Sequence, residues 1–176
     1  LQNGRSGVPI REVMIGGKRE VWTRKMLRMV AQSYARAPYF DLIYPMFEGW
    51  MNREIKGISE LNVLIIVEVC RYLGLGVEIC ETSTIYGNNH LKSVDRVLDI
   101  CEREKAGHYI NAIGGKELYS YDEFEQRGIQ LSFLKPSLHP YSQGKGEFVG
   151  GLSILDALMH QSPDSLNGML KSFSLV

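Results

Sequence analysis

A predicted strand, two glycines and a lysine follow one another in the segment 108–119. Its sequence is His-Tyr-Ile-Asn-Ala-Ile-Gly-Gly-Lys-Glu-Leu-Tyr. Glycines let a backbone approach an anion closely, and the N–H groups at the start of a following helix point towards it. We therefore expect Asn111, Gly114, Gly115 and Lys116 to contact a ligand. A tight strand-to-helix turn explains the glycines equally well, because their spacing matches neither a dinucleotide motif nor a P-loop.

Two basic residues, Lys92 and Arg96, lie one helical turn apart after the polar loop of residues 86–91. A guanidinium can hold a phosphate or a carboxylate through two parallel hydrogen bonds, and a lysine adds a point charge. The pair is therefore a candidate anion site. A solvated helix face is the more common reason for two cations at this spacing.

Histidine exchanges protons near neutral pH, so His108 and His139 are candidate general bases. We take His108 as the candidate catalytic residue, although its place at the start of a strand favours a structural role. His90 and His160 have less support. Because no Cys-x-x-Cys, His-x-x-x-His or His/Asp cluster is recognised, we predict no intrinsic metal site, and the sequence specifies no cofactor.

A glycine-rich loop spans residues 137–151, and its part from Tyr141 to Gly151 is of the kind that closes over ligands. Asp156 follows Ser153 by three residues, a spacing that helix capping explains. Neither Ser132 nor Ser153 has the flanking residues of a nucleophile elbow. We therefore predict a ligand-covering loop followed by an ordinary helix start.

The elements that position these residues alternate between strand and helix. The hydrophobic pattern predicts strands at 76–81, 108–113 and 129–134, and helices at 92–105 and 120–127. Ser120 and Glu123 fit a capping box, and Gly128 fits a helix end. Strands joined by helices of this length pair in parallel through right-handed crossovers, and ligands bind at their carboxyl ends.

Helices are also predicted before the sheet. One begins near Trp22 and ends before Pro38. A second has Asp41 as its cap and Pro45 in its first turn. A third, residues 60–73, is apolar nearly all round and is therefore expected to be central.

The remaining segments complete the expected fold. Residues 8–15 fit a short strand or an extended arm, and Ser162 with Pro163 opens the second of two short C-terminal helices. We predict one α/β domain over residues 1–176, with a small, mostly parallel sheet of β-α-β units flanked by helices. An additional helical N-terminal segment and two short C-terminal helices accompany the sheet.

Composition excludes several classes of protein. Lys plus Arg equals Asp plus Glu, at 20 each, which argues against a nucleic-acid clamp or a polybasic membrane binder. The longest apolar run, Val63 to Val67, is too short to span a bilayer. Three widely spaced cysteines among apolar neighbours, Cys70, Cys80 and Cys101, predict buried thiols in a reducing compartment.

Several blocks of the sequence together resemble the WbqC-like protein family, from about Trp22 onwards. The blocks are Ser33-Tyr-x-x-Ala-Pro-Tyr-Phe40, Asp95-Arg-Val-Leu-Asp-Ile-Cys101, His108-Tyr-Ile-Asn-x-Ile-Gly-Gly-Lys-Glu-Leu-Tyr119, Gly128-Ile-x-Leu-Ser-Phe-Leu-Lys-Pro136 and Gly151-Leu-Ser-Ile-Leu-Asp-Ala-Leu-Met159. The family usually begins with a block containing Gln-Pro-Tyr and Asn-Arg-Asn motifs, which do not occur here. The resemblance therefore implies that Leu1 follows a missing N-terminal block.

The resemblance implies a bacterial, cytoplasmic protein encoded among O-antigen or other surface-polysaccharide genes. It further implies a transferase, including glycyl or acyl transfer, acting on a nucleotide-linked or modified sugar. The alternative is a non-catalytic binding or scaffold protein of the same pathway. We expect a small-molecule sugar or nucleotide-sugar as ligand, no nucleic acid and no integral membrane segment. The sequence does not specify the oligomeric state.

Overall fold

The structure is a computed structural model that describes residues 7–176. Its helices are α1 (Arg19–Tyr34), α2 (Phe40–Asn52), α3 (Ile58–Tyr72), α4 (Ser93–Arg103), α5 (Tyr121–Glu125), α6 (Ile154–His160) and α7 (Pro163–Leu170). Its strands are β1 (His108–Ala112), β2 (Gln130–Pro136) and β3 (Phe173–Leu175). Three short 3-10 helices occupy Ile10–Glu12, Ser83–Tyr86 and Ile113–Leu118. None of the helices in this range combines the length and apolar composition needed to cross a membrane.

The chain forms two compact units. Among the described residues, the first consists of 7–81 and His139–Met169, and the second consists of Thr82–Leu138 and Leu170–Val176. The first unit is helical, and the second contains the sheet. The N-terminal helical segment and the two short C-terminal helices of the prediction are present. That the chain is one domain stays a prediction.

The core of the first unit lies where helices from distant parts of the chain meet. Its buried residues are Ile43, Phe47, Trp50, Met51, Leu61, Val69, Leu73, Ala157, Leu158, Met159 and Leu166. The backbone N–H of Tyr39 donates to the carbonyl of Met159 at 3.0 Å, so the start of α2 is joined to the end of α6. Burial of these apolar side chains is the main stabilising contribution in this unit.

Two expectations for these helices were wrong in detail. Helix α2 begins at Phe40, so Pro45 is its sixth residue and lies beyond the first turn. The missing proline N–H leaves one carbonyl of the preceding turn without its helical donor. Helix α3 is not buried all round, because Ile66 is 53% exposed while Leu61 and Val69 are buried. Only one face of α3 packs on the core.

The N-terminal arm is mostly irregular. A 3-10 turn covers Ile10–Glu12, and Met14 forms an isolated antiparallel bridge with Gly57. The backbone N–H of Ile15 donates to the carbonyl of Lys56 at 2.7 Å. The extended-arm alternative therefore describes residues 13–15, and a full strand does not form.

The second unit is built on a three-stranded sheet in the order β1-β2-β3. Strands β1 and β2 are parallel, with His108 opposite Gln130 and Ala112 opposite Leu134. Strand β3 is antiparallel to β2, with Leu175 opposite Leu134. The prediction of a mostly parallel sheet was therefore wrong, because only one of the two strand pairs is parallel.

The predicted first strand, residues 76–81, does not form. The sheet in the described part of the chain consists of β1, β2 and β3, and Val77 in the segment 76–81 is 54% exposed. Strand propensity depends on packing against neighbouring strands, so an apolar run without such a neighbour stays irregular. The sheet gains its third strand instead from the C-terminal residues 173–175.

One face of the sheet packs on α4 and α5. The buried residues of this core are Leu98, Cys101, Phe124, Ile129, Leu131 and Phe133, with Tyr109 partly buried beside them. Gly128 has φ +68°, a left-handed conformation that glycine adopts without steric cost, and it ends the turn between α5 and β2. The capping box of Ser120 does not form, because its side chain caps no backbone N–H and α5 already ends at Glu125.

The cysteines differ in exposure. Cys101 is buried in the sheet core, Cys70 is partly buried, and Cys80 is exposed. The prediction of three buried thiols was therefore wrong for Cys80. That residue belongs to segment 76–81, which was expected to be a strand.

Candidate functional site

A buried carboxylate stands at the start of α6. Asp156 is only 3% exposed, although it lies in the first turn of that helix. Capping of α6 is carried out by Ser153, whose hydroxyl accepts from the N–H of Leu155 at 3.3 Å. The sequence-based explanation of Asp156 as a capping residue was therefore wrong. Its side chain is engaged elsewhere.

Three side chains donate hydrogen bonds to the Asp156 carboxylate. The Tyr34 hydroxyl is 3.1 Å from Oδ1, the Tyr141 hydroxyl is 2.6 Å from Oδ2, and Gln143 Nε2 is 2.7 Å from Oδ2. Burying a carboxylate is costly unless its oxygens accept hydrogen bonds. The oxygens of an ionised carboxylate only accept hydrogen bonds, and these three partners supply only donors.

His160 lies one helical turn after Asp156 and shares its surroundings. Nδ1 of the ring is 2.9 Å from the backbone oxygen of Asp156 and 3.5 Å from its Oδ1. Both of these oxygens are hydrogen-bond acceptors. We therefore assign the ring hydrogen to Nδ1. In the neutral ring Nε2 then carries the free lone pair. The arrangement orients His160 as a base, with a carboxylate beside the ring to balance a positive charge.

Both tyrosines of the cluster remain protonated well above neutral pH. Burial, together with the charge and hydrogen bond of Asp156, raises the pKa of Tyr34 to about 12. The pKa of Tyr141 is also raised to about 12, first by burial and then by its hydrogen bond to Asp156. The two phenols therefore act as hydrogen-bond donors and not as phenolate nucleophiles.

Ring contacts hold the histidine in place. The Tyr34 ring meets the His160 ring edge-on at a centroid distance of 5.7 Å, and the Tyr141 ring is tilted at 6.4 Å. Only 9% of the His160 side chain is exposed. These contacts limit the rotamers open to the ring, which favours a fixed direction for Nε2.

The glycine-rich loop is attached to this cluster. Gln143 makes two further hydrogen bonds besides the one to Asp156. Its Oε1 accepts from the N–H of Val149 at 2.7 Å, and its Nε2 donates to the Val149 carbonyl at 3.1 Å. Tyr141 contacts the ring of Phe148 at 5.1 Å. The loop from 141 to 149 is therefore closed on itself, and Asp156 Oδ2 holds it through Tyr141 and Gln143.

The strand-and-glycine segment of the second unit has a different local structure from the one expected. Gly114 and Gly115 lie within the 3-10 helix Ile113–Leu118, and not at the start of an α-helix. Asn111 Oδ1 accepts from the N–H of Ala112 at 2.7 Å. A Cβ on Gly115 would lie 2.7 Å from Asn111 Nδ2, so this glycine makes room for the asparagine.

The structure thus brings Asn111 and Gly115 together, whereas Gly114 and Lys116 are exposed. A side chain at position 115 would require the Asn111 side chain to move. Ligand contact by Asn111, Gly114, Gly115 and Lys116 stays a prediction.

Arg96 is occupied by the loop that precedes α4. Its Nε donates to Asn88 Oδ1 at 3.1 Å, and its NH2 group donates to the Ser83 hydroxyl at 2.9 Å and to Asn89 Oδ1 at 3.2 Å. Asn88 is fully buried and donates to Asp99 Oδ2 at 2.6 Å. This bond, followed by one from Arg103, lowers the pKa of Asp99.

These bonds fasten the loop 83–89 to α4 and give Arg96 a structural role. Lys92 precedes α4 and is exposed. Anion binding by Lys92 and Arg96 stays a prediction.

The other histidines lie outside the cluster. His108 is exposed at the start of β1, opposite Gln130, and His139 is exposed after β2. A catalytic role for His108 stays a prediction. Within residues 7–176, no group of three or more His, Cys, Asp or Glu side chains is placed to hold a metal ion.

Sequence reasoning missed the residues that converge most closely. The pair Asp156-x-x-x-His160 could have been found, because an acid and a histidine four apart on a helix share one face. Tyr34 precedes Asp156 by 122 positions, and no local pattern connects them. Tyr141 and Gln143 lie in a loop whose path the sequence does not specify.

Comparison with known proteins gives one family. The model of the WbqC-like protein family matches residues 1–168. No curated protein and no solved structure matches the chain significantly. The family match covers most of the chain and includes the cluster around Asp156, and the chain therefore belongs to the WbqC-like protein family.

Proposed function

We propose that the chain belongs to a transferase of bacterial surface-polysaccharide assembly, in which Asp156 and His160 supply the general base. The observation that carries the proposal is the buried Asp156 carboxylate beside a histidine whose Nδ1 position is fixed by an acceptor. The pathway rests on the family, whose name is associated with O-antigen biosynthesis. The donor is a nucleotide-linked or modified sugar in a cytoplasmic reaction, including glycyl or acyl transfer.

In this proposal, His160 Nε2 removes the proton of an acceptor hydroxyl or amine. The acceptor atom forms the new bond to the transferred group, and the leaving group departs with the electron pair of the broken bond. The Asp156 carboxylate balances the charge on the protonated ring. Tyr34 and Tyr141 hold that carboxylate in position, since both are protonated donors.

The loop of residues 141–149 controls access in the same proposal. It is tied to Asp156 Oδ2, and His160 is nearly buried. Movement of this loop would uncover the histidine, a role common for glycine-rich loops near reacting groups. Contacts of Asn111, Gly114, Gly115 and Lys116 with the anionic part of a donor are proposed separately for the second unit.

The test begins with the identification of a ligand. Nucleotide-sugars that co-purify with the protein are identified by mass spectrometry, and turnover is then measured for wild type, Asp156→Asn and His160→Gln. We expect both variants to lose about 100-fold or more in rate with little change in binding, because general base catalysis contributes about 10²–10⁴-fold. Asp164→Asn is the matched control, since Asp164 is an exposed first-turn acid on α7.

The alternative is a binding or scaffold protein of the same pathway. It is favoured by one observation, namely that the Asp156 carboxylate accepts hydrogen bonds from three side chains and can act as a structural anchor. The scaffold hypothesis predicts no turnover in wild type, and it predicts that Asp156→Asn lowers the free energy of unfolding by about 1–3 kcal/mol. Full activity of a folded Asp156→Asn protein would reject the transferase mechanism.

A further inference from the structure

An open cavity of about 350 Å³ lies in the second unit beside α5 and the first residues of β2. Its lining consists of Tyr121, Glu125, Gly128, Ile129, Gln130 and Leu131. This volume is at the lower end of the range of roughly 300–1,000 Å³ typical of small-molecule sites. Ile129 and Leu131 are buried, at 4% and 6% exposed, and also belong to the apolar core of this unit.

An aromatic ring stands at the side of the cavity. Tyr121 is 45% exposed, and Phe133 meets its ring edge-on at a centroid distance of 5.9 Å. The contact with Phe133 fixes the ring, while the exposed part remains open to a ligand. The face of an aromatic ring is negative and attracts weakly positive C–H groups, such as those on one side of a pyranose.

Polar groups of both kinds accompany the ring. Glu125 lies four residues after Tyr121 on α5, which places both on one side of the helix. A carboxylate accepts two hydrogen bonds, and the Gln130 amide both donates and accepts. Neighbouring hydroxyls of a sugar require this combination, since each hydroxyl donates one bond and accepts others.

The edge of β2 adds backbone groups at the same place. Gln130 N–H donates towards β1, to the Gly107 carbonyl at 2.9 Å, whereas Phe133 exchanges bonds of 2.8 and 3.1 Å with Val176 on the other side. Backbone groups alternate in direction along a strand. The N–H and carbonyl of Leu131 therefore point to the same side of β2 as those of Phe133. Among the described residues, no strand pairs with Leu131 on that side.

The charge of the lining decides the class of ligand. None of the six lining residues is Lys, Arg or His, and the nearby Arg127 is paired with Glu102 at 2.5 Å. A phosphate or a nucleotide would meet a carboxylate here without a compensating cation. A neutral polyhydroxyl ligand fits better.

We infer that this cavity binds a neutral hexopyranose unit, with the sugar stacked on Tyr121 and hydrogen-bonded to Glu125, Gln130 and the Leu131 backbone. The choice of a sugar among neutral polyols rests on the proposed function. The cavity then serves as a binding site for an uncharged sugar. Ligand binding there requires no turnover.

The test measures binding of methyl glycosides of glucose, galactose and N-acetylglucosamine to the whole chain by ligand-observed and amide-observed NMR. We expect at least one glycoside to bind and to shift the amide of Leu131. Tyr121→Ala should weaken binding by about three- to tenfold, the effect of losing one stacking contact. Because Tyr121 also contacts Phe133, Glu125→Gln provides a second variant that keeps the side-chain shape.

Glu123→Gln is the matched control, since Glu123 is an acid of the same helix that does not line the cavity. Unchanged binding in Glu123→Gln with weaker binding in the other two variants supports the inference. Absence of glycoside binding, or equal binding in all variants, overturns it. Preferential binding of inorganic phosphate, or of an extended peptide that pairs with Leu131, also overturns it. Asp156→Asn should bind the glycoside normally, so failure of the transferase mechanism and failure of this binding site give different results.

Discussion

At the scale of single residues, the side chain of Asp156 is defined by the groups that surround it. Three donors converge on its two oxygens, and a histidine ring lies beside them. Hydrogen bonds from three donors hold this buried carboxylate in one orientation. Asp156 contacts the two tyrosines, the histidine and the loop. A substitution of Asp156 therefore changes both the structure of the cluster and the proposed role of the carboxylate in catalysis.

The first prediction concerns the pH dependence of stability. Folding raises the pKa of Tyr141 from 10.0 to about 12, so the folded state favours the protonated phenol. The stabilisation is therefore complete below pH 10 and is lost as the pH rises towards 12. Tyr141→Phe cannot ionise, so we expect its free energy of unfolding to fall less steeply over this interval. Urea unfolding at a series of pH values measures both curves.

Tyr34 and Tyr109 also have raised pKa values, so wild type and variant should both lose stability at high pH. The informative quantity is the difference between their slopes. Tyr121→Phe serves as the control, because the Tyr121 side chain is 45% exposed and does not contact Asp156. Parallel curves for wild type and Tyr141→Phe would contradict the raised pKa that burial and the hydrogen bond to Asp156 give Tyr141.

What the sequence reveals at this scale depends on the distance between partners. Asp156 and His160 are four residues apart on one helix, and their contact can be deduced from spacing alone. Anion contact by Arg96 stays a prediction that rests on helical spacing. Its bonds to Asn88 and Ser83 depend on how the loop before α4 folds back, and helical periodicity carries no information about that.

At the scale of elements, the glycine-rich loop of residues 141–149 is held in place by side-chain hydrogen bonds. Gln143 closes it through Val149 and attaches it to Asp156. Loops that cover reacting groups belong to the less stable parts of a protein, because few contacts hold them. Here one amide side chain carries much of the attachment.

The second prediction is that Gln143→Ala loosens this loop. The variant loses the bond to Asp156 and both bonds to Val149, while the apolar core keeps its contacts. We expect trypsin to cleave after Lys145 about tenfold faster, which corresponds to a loss of about 1.4 kcal/mol in local stability. Cleavage is followed by mass spectrometry under conditions where circular dichroism shows a folded protein.

Ser142→Ala is the control for this experiment, because Ser142 is exposed in the same loop and its side chain makes no hydrogen bond within the described part of the chain. Equal cleavage rates in the two variants would show that Gln143 does not hold the loop closed. Faster cleavage in Gln143→Ala alone would establish it as the attachment point.

Elements with strong local signals were predicted well, and those that need distant partners were not. Helix α7 begins at Pro163 after Ser162, and the Ser162 hydroxyl accepts from the N–H of Ser165 at 3.2 Å. The parallel pairing of β1 with β2 also follows from the helical connection between them. The expected strand at 76–81 failed because a strand requires a neighbour, and its local sequence does not supply one.

At the scale of the whole molecule, both units are assembled from segments that are distant in the sequence. The first combines residues before Glu81 with helices after His139, and the second receives its last strand from the end of the chain. The antiparallel edge strand β3 could not be predicted from its three residues, because so short a segment has no periodicity to detect. Its position is set by pairing with β2.

The third prediction tests this long-range pairing by deletion of residues 171–176. The N–H of Phe133 donates to the Val176 carbonyl, and the N–H of Ser137 donates to the Ser172 carbonyl, each at 2.8 Å. Without β3 these amides face solvent, so we expect their hydrogen exchange to accelerate by about tenfold or more. The N–H of Gln161, which donates to Ala157 in the first unit, is an internal reference within the same sample. Lys171→Ala controls for the loss of a single exposed side chain, and unchanged exchange at Phe133 after the deletion would show that β3 does not protect the edge of β2.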